Sequence, residues 1–231
     1  MGIQNFDDFY KELKQAGFSA GMGNAEGIYS VIPFGWNELP PYETEVRWHT
    51  GVAKTDPWEW RMRVLDEKDD VAYAKIFFKK SGFITKEWYP YFLAARREGM
   101  DLEAEYREGR ISAYARQIYD LFTVTDRLPV DEMKRLMGSG KDDKARFDRA
   151  LVELQMKLYL TMSGRRSRVT NDGQEYGWAS TVFTTTEHFW GEEVFTAAAA
   201  IGKEEAAAAI TEQVYRLNPD AEAKRIVKFI G

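Results

Sequence analysis

The sequence predicts an α+β fold in three regions: an N-terminal α+β region over 1–108, a core of short helices and strands over 109–190, and a C-terminal helical segment over 191–231. Three observations support this. Apolar side chains recur at helical spacing, as in Phe6, Phe9, Tyr10 and Leu13, or Phe147, Leu151, Leu154 and Leu158. Shorter stretches alternate as strands do: Leu158, Leu160 and Met162 against Tyr159, Thr161 and Ser163. Finally, 14 Phe, 12 Tyr and 7 Trp are too many large apolar side chains for a chain that stays solvated.

The first element is an amphipathic helix over 5–16, stopped by Gly17. The glycines at 21, 23 and 27 form a loop into an apolar run, Ile28 to Pro33, read as a strand. Thr55-Asp56-Pro57-Trp58-Glu59 is a strong helix start, because Asp56 can cap and Pro57 suits the first helical position. That helix is expected over 57–66, then a strand over 71–78, a turn at Lys79 to Gly82, and a helix capped by Thr85 that ends near Gly99. Further on the sequence predicts helices over 111–123, 130–137 and 144–157. A strand from Leu158 then leads to a polar hairpin turning at Asn171-Asp172-Gly173, and a strand returns over 176–186. The remaining helices are expected over 191–201, 203–217 and 219–230.

Cysteine is absent, which removes disulfides, thiolate nucleophiles and Cys-ligated zinc. No run of about 18 apolar residues could cross a bilayer. The opening MGIQNFDDFYKELK lacks a signal pattern, so a cytoplasmic protein without a membrane partner is expected. The G-x-G at Gly21 and Gly23 follows no strand, so no cofactor is expected. The two histidines, His49 and His188, lie too far apart for metal-ligand spacing. The formal net charge of −5 hides a pattern: 14 basic and 19 acidic residues over 1–108, 13 and 8 over 109–170, and 5 and 10 over 171–231. A basic middle lies between acidic ends, and local charge is what an anionic partner meets.

In that basic middle the predicted order of helix, turn, short helix, loop, longer helix, strand, hairpin and strand is the order of a winged helix-turn-helix. Lys144, Arg146, Arg149 and Lys157 fall off the apolar stripe of its longest helix. Arg165, Arg166 and Arg168 sit in its hairpin, where guanidinium groups can meet phosphate oxygens. These seven are the candidate nucleic-acid-binding residues, with duplex DNA as the candidate partner.

The stretch ARFDRALVELQMKLYLTMSG, followed by GWASTVFTTTEHFW, resembles the winged-helix part of the AlkZ-type family of bacterial DNA glycosylases. WHTGVAKTDPWEWRMRV and FKKSGFITKEWYPYFLAARR resemble a group of short AlkZ-related bacterial proteins. The resemblance spans roughly 45–190 and implies association with DNA and DNA repair. AlkZ-type enzymes carry a Gln-x-Gln or Gln-x-Asp catalytic pair. Here Gln4, Gln15, Gln117, Gln155, Gln174 and Gln213 have neither Gln nor Asp two positions later, so no catalytic residue carries over. Two readings stay open: a DNA-associated winged-helix protein, whether a binder or an enzyme with altered catalytic residues, or a winged helix that binds protein or is purely structural.

For acid–base chemistry the candidates are His49, with a near-neutral imidazole, and the carboxylates Glu43, Glu45 and Asp56. On a strand Glu43 and Glu45 would share a face. Trp48, Trp58 and Trp88 are the candidates for stacking on an extruded base, although aromatic residues at this density more often build a core.

Overall fold

The computed structural model describes residues 2–231 except 22, 24, 25, 141, 168–171, 173, 175, 176 and 178. The fold is mixed α+β, with two small antiparallel sheets. The chain divides into two compact units: residues 1–99 together with 192–231, and residues 100–191.

The first unit begins with α1 (Phe6–Ala16). Asn5 caps it by accepting from the backbone N–H groups of Asp7 and Asp8, and Phe6, Phe9, Leu13 and Ala16 face inward. It ends at Gly17, whose φ of 85° suits glycine; a Cβ there would lie 2.1 Å from the Trp88 indole. Next come β1 (Phe18–Ala20), α2 (Pro57–Glu67), β2 (Val71–Phe77), β3 (Lys80–Thr85) and α3 (Tyr89–Arg97). The sheet order is β1-β3-β2, with Phe18 opposite Ile84 and Val71 opposite Thr85. Phe78 and Lys79, at φ 51° and 63°, make a tight β2–β3 turn, shorter and earlier than the turn expected over Lys79 to Gly82, so that Lys80 to Gly82 belong to β3. Trp60 is fully buried, with Phe6 and Phe9 against it, and Phe18, Phe77 and Phe92 gather round Phe229.

Two expectations fail in this unit. Residues 28–33 form no strand: their backbone is held by the Ser19 hydroxyl, which accepts from Val31 N–H at 2.9 Å, and by the Ser30 hydroxyl, which donates to the Ile32 carbonyl at 2.7 Å. The unforeseen three-residue β1 takes that place in the sheet. Thr85 does not cap a helix, since it ends β3 and α3 starts four residues later.

The C-terminal elements α9 (Glu192–Ala199), α10 (Lys203–Leu217) and α11 (Ala223–Ile230) belong to the same unit, with α3 packed on α9 and α10. Arg96 on α3 donates to the carbonyls of Ile76 (2.9 Å) in β2 and of Phe229 (2.8 Å) and Ile230 in α11. A cation at a helix C-terminus meets both the free carbonyls and the dipole. Burial pushes its guanidinium down to about 10, so it stays charged at neutral pH.

Tyr10, Lys14 and Asp70 form a polar network at 2.7–2.9 Å. Burial pushes the Tyr10 phenol up, and its hydrogen bond to Asp70 adds to that, to about 12. Burial opposes the charge on Asp70, but hydrogen bonds from Lys14 and Tyr10 outweigh it and hold the carboxyl below its ordinary range. A lowered carboxyl stabilises the fold above its unfolded value, and that contribution is lost as pH falls through the folded one. A raised phenol contributes below its unfolded value, and that is lost as pH rises towards the folded one. Denaturant midpoints of the parent should therefore fall below about pH 4 and above about pH 10. Asp70→Asn should flatten both limbs, and unchanged limbs would contradict the network's role.

The second unit runs α4 (Leu102–Arg107), α5 (Ala113–Asp120), a 3₁₀ turn at Leu121–Thr123, β4 (Leu128–Pro129), α6 (Val130–Leu136), α7 (Lys144–Met156), β5 (Leu160–Arg166), β6 (Ser180–Thr185) and α8 (Thr186–Trp190). Its sheet order is β4-β6-β5, with Leu128 opposite Phe183 and Leu160 opposite Thr185. The sequence predicts neither α4 nor α8, and it predicts a turn where β4 forms. The strand expected from Leu158 starts at Leu160, because buried Leu158, at φ 60°, makes the sharp corner out of α7. The returning strand starts at Ser180; the expected turn at Asn171 and Gly173 lies outside the described residues. Among the described residues no helix is long and apolar enough to cross a membrane.

Candidate functional site

In the second unit α7 presents its residues in three directions. Phe147, Leu151 and Leu154 are buried and define the inward stripe. On one flank Arg146 stacks over the Tyr114 ring of α5 at 4.3 Å, and Glu153 accepts from the Ser112 backbone N–H (2.9 Å) and hydroxyl (2.7 Å) at the start of α5. On the other flank Asp148 pairs with Lys134 of α6 at 3.4 Å. At 100° per residue, Arg149 lies opposite the stripe and is exposed, near Ala145, Val152 and Met156. Lys144, in the first turn, is also exposed.

Lys157 is not on that outward face. Its ammonium pairs at 2.8 Å with Glu105, a fully buried carboxylate of α4 whose other oxygen has no hydrogen-bond partner. A lone buried charge is costly, so this contact reads as structural. Arg165 and Arg166 are exposed at the outer end of β5, beyond an irregularity between Met162 and Gly164 that strengthens the twist of the hairpin. Arg166 pairs with Glu132 of α6 at 3.0 Å. Arg168 lies outside the described residues. Of the seven candidates, Lys144, Arg146 and Arg149 on α7 and Arg165 and Arg166 on β5 are exposed, Arg146 lying over the Tyr114 ring and Arg166 paired with Glu132. Lys157 is turned to Glu105 of α4.

The acid–base and aromatic candidates lie in the first unit. Glu43 and Glu45 are exposed in irregular backbone, so the expected strand with two carboxylates on one face is absent. Asp56 is fully buried, and its carboxylate accepts from the backbone N–H groups of His49 (3.0 Å), Gly51 (2.8 Å) and Trp58 (2.8 Å). It caps α2 and ties the preceding loop to that cap, so both oxygens are occupied. His49 is exposed, and the loop holds it at φ 61°, a conformation uncommon for a residue with a side chain.

The three tryptophan candidates are differently placed. The guanidinium of Arg61 lies 3.3 Å from the Trp58 ring centroid, and the His49 ring lies 4.6 Å from it. Trp48, half-buried, donates its indole N–H to the Phe34 carbonyl at 3.1 Å. Trp88 packs over Gly17 and edge-on to Phe18. Among the described residues the aromatic side chain most open to solvent is Trp36, which the sequence did not single out; it is 62% exposed, with its ring 5.9 Å from His49. Its signal was a polar Asn37-Glu38 directly after an apolar stretch, which marks a turn. Among the described residues no group of three or more His, Asp or Glu is placed to hold a metal ion.

A family model described as AlkZ related matches residues 3–231. No curated protein and no solved structure matches the chain. The chain belongs to the AlkZ-related family, which ties it to the DNA-glycosylase group that its sequence resembles.

Proposed function

From membership of the AlkZ-related family, we propose that this protein binds duplex DNA through residues 100–191 acting as a winged helix, with α7 as the recognition helix and the β5–β6 hairpin as the wing. The observation that carries this reading is the outward face of α7. Arg149 stands opposite the Phe147, Leu151 and Leu154 stripe, and Arg165 and Arg166 end the adjoining strand. The element order of α5, β4, α6, α7, β5 and β6, with sheet order β4-β6-β5, supports the same reading. Binding of this kind is mainly electrostatic: cations displace condensed counterions, and phosphates carry no base information. Base excision is not part of the proposal, since the Gln pair of AlkZ-type enzymes has no counterpart here.

A salt series tests it. The slope of log affinity against log salt for duplex DNA should flatten by up to about 0.9 for each phosphate contact removed. Arg149→Ala should give close to that full change. Arg166→Ala should give less, because its contact must compete with Glu132. Sequence preference should stay as it was. An unchanged slope in the Arg149→Ala, Arg165→Ala, Arg166→Ala triple variant would remove this surface from the interface. A second reading, a protein-binding winged helix, is favoured by half-buried Val152 and Met156 on the same face and by the overall charge of −5. Absence of DNA binding at low salt would leave that reading standing.

A further inference from the structure

Two elements of the first unit carry basic side chains and no acidic ones. The β2–β3 hairpin, residues 71–85, holds Lys75, Lys79 and Lys80, and α11 holds Lys224, Arg225 and Lys228. In a chain whose total is −5, neither stretch contains an Asp or a Glu.

The core brings the two together. Phe229 of α11 stacks on Phe77 at 4.0 Å and meets Phe78 at 6.2 Å. Arg96 holds the Ile76 and Phe229 carbonyls at once. Glu26 pairs with Lys80 and also with Arg225 at 3.2 Å, so one carboxylate spans both elements. α11 turns Ile226, Phe229 and Ile230 inward, which leaves Lys224 and Lys228 exposed one turn apart. Lys75, Lys79 and Lys80 are exposed as well, and Arg225 is half-buried.

The neighbouring carboxylates do not cancel this charge. Asp69 and Asp70 stand at the far end of β2, and Asp70 is paired with Lys14. Asp220 and Glu222 precede α11, and Glu222 pairs with Lys224 at 3.3 Å. Six cations thus stand against Glu26, Asp220 and Glu222. The turn is a second sign. Phe78 and Lys79 hold φ values of 51° and 63°, where Asn or Gly would sit with less strain. An outlier of this kind, at an exposed lysine, points to a constraint beyond folding.

We propose that the β2–β3 turn and α11 form a further nucleic-acid contact, which takes the phosphate backbone of duplex DNA. The choice of DNA rests on the reading above, but the two surfaces share no residue. Lysines suit this task because each meets phosphate as a point charge, and each contact releases counterions. An anionic membrane fits worse: the apolar side of α11 lies in the core, with Ile226 and Phe229 each 1% exposed, so the helix has no apolar face to insert.

The experiment is a salt series of duplex binding, by anisotropy on the full chain. The triple variant Lys79→Ala, Lys224→Ala, Lys228→Ala should flatten the slope of log affinity against log salt by up to about 2.7, at about 0.9 for each contact. Its melting curve should match the parent's, since all three side chains are exposed. Glu26→Gln should do the reverse. It releases Lys80 and Arg225 for phosphate and should steepen the slope, a gain that loss of fold does not produce. A slope unmoved in the lysine variant, or not steepened in Glu26→Gln, overturns this surface while Arg149→Ala still tests the winged helix. Both effects present, with a slope unmoved by the α7 and β5 substitutions, overturn the winged-helix surface alone. Absence of duplex binding at low salt overturns both. Poly-glutamate stands in for an acidic protein: tighter binding of it than of duplex, lost in the lysine variant, overturns DNA as the occupant.

Discussion

Leu151→Asp is expected to unfold residues 100–191. Leu151 is buried in the stripe that α7 turns inward, beside Phe147 and Leu154. Shortening the side chain costs about 2–5 kcal/mol in lost contacts and cavity. An unpaired carboxylate there adds several kcal/mol more. Domains of this size have only about 5–15 kcal/mol of stability to lose. Leu151→Met, which conserves volume, should cost less than about 1.5 kcal/mol and keep the fold. Circular dichroism melts with limited proteolysis across 144–166 separate the two. A soluble Leu151→Asp protein that melts cooperatively at the parent's temperature contradicts the placement of this helix.

That stripe was readable in the sequence because α7 obeys one period over its whole length. Elements with both a periodic run and a chemical boundary were legible in the same way. Asn5 and Gly17 bracket α1, and Asp56-Pro57 opens α2. Illegible were the elements fixed by partners distant in sequence. β1 has three residues and exists because β3 pairs with it. The two-residue β4 exists because β6 does. Residues 28–33 had strand composition, but Ser19 and Ser30 hydroxyls took the backbone groups that a ladder needs.

The sites divide along similar lines. Helical spacing placed Arg149 off the apolar stripe, but it could not tell that Arg146 would stack on Tyr114 or that Lys157 would meet Glu105, since those contacts depend on where α5 and α4 fold. Asp56 was singled out both as a cap and as a candidate acid. Its three backbone donors explain the first role and leave no free oxygen for the second.

Asp56 therefore carries the second large effect. Asp56→Ala leaves three backbone N–H groups without an acceptor and removes the cap of α2. A lost cap costs about 1 kcal/mol, and buried donors left unpaired cost about 1–3 kcal/mol each. His49 and Gly51 are exposed, so water can reach part of that deficit. The expected loss is about 3 kcal/mol, or roughly 6–12 °C in Tm for a chain of this length. Asp56→Asn keeps one accepting oxygen and should lose about half as much. His49 would then be free to leave its φ of 61°, and the Trp36 and Trp58 emission should shift with it. A stability within about 0.5 kcal/mol of the parent would show that the loop does not depend on this carboxylate.

In the proposed complex the outward face of α7 and the outer end of β5 meet duplex DNA. Amide hydrogen exchange of the full chain, with and without saturating duplex at low salt, reads this directly. Slowed exchange is expected to concentrate in 144–156 and 160–166. Protection confined to other segments, or none at saturating DNA, would contradict it.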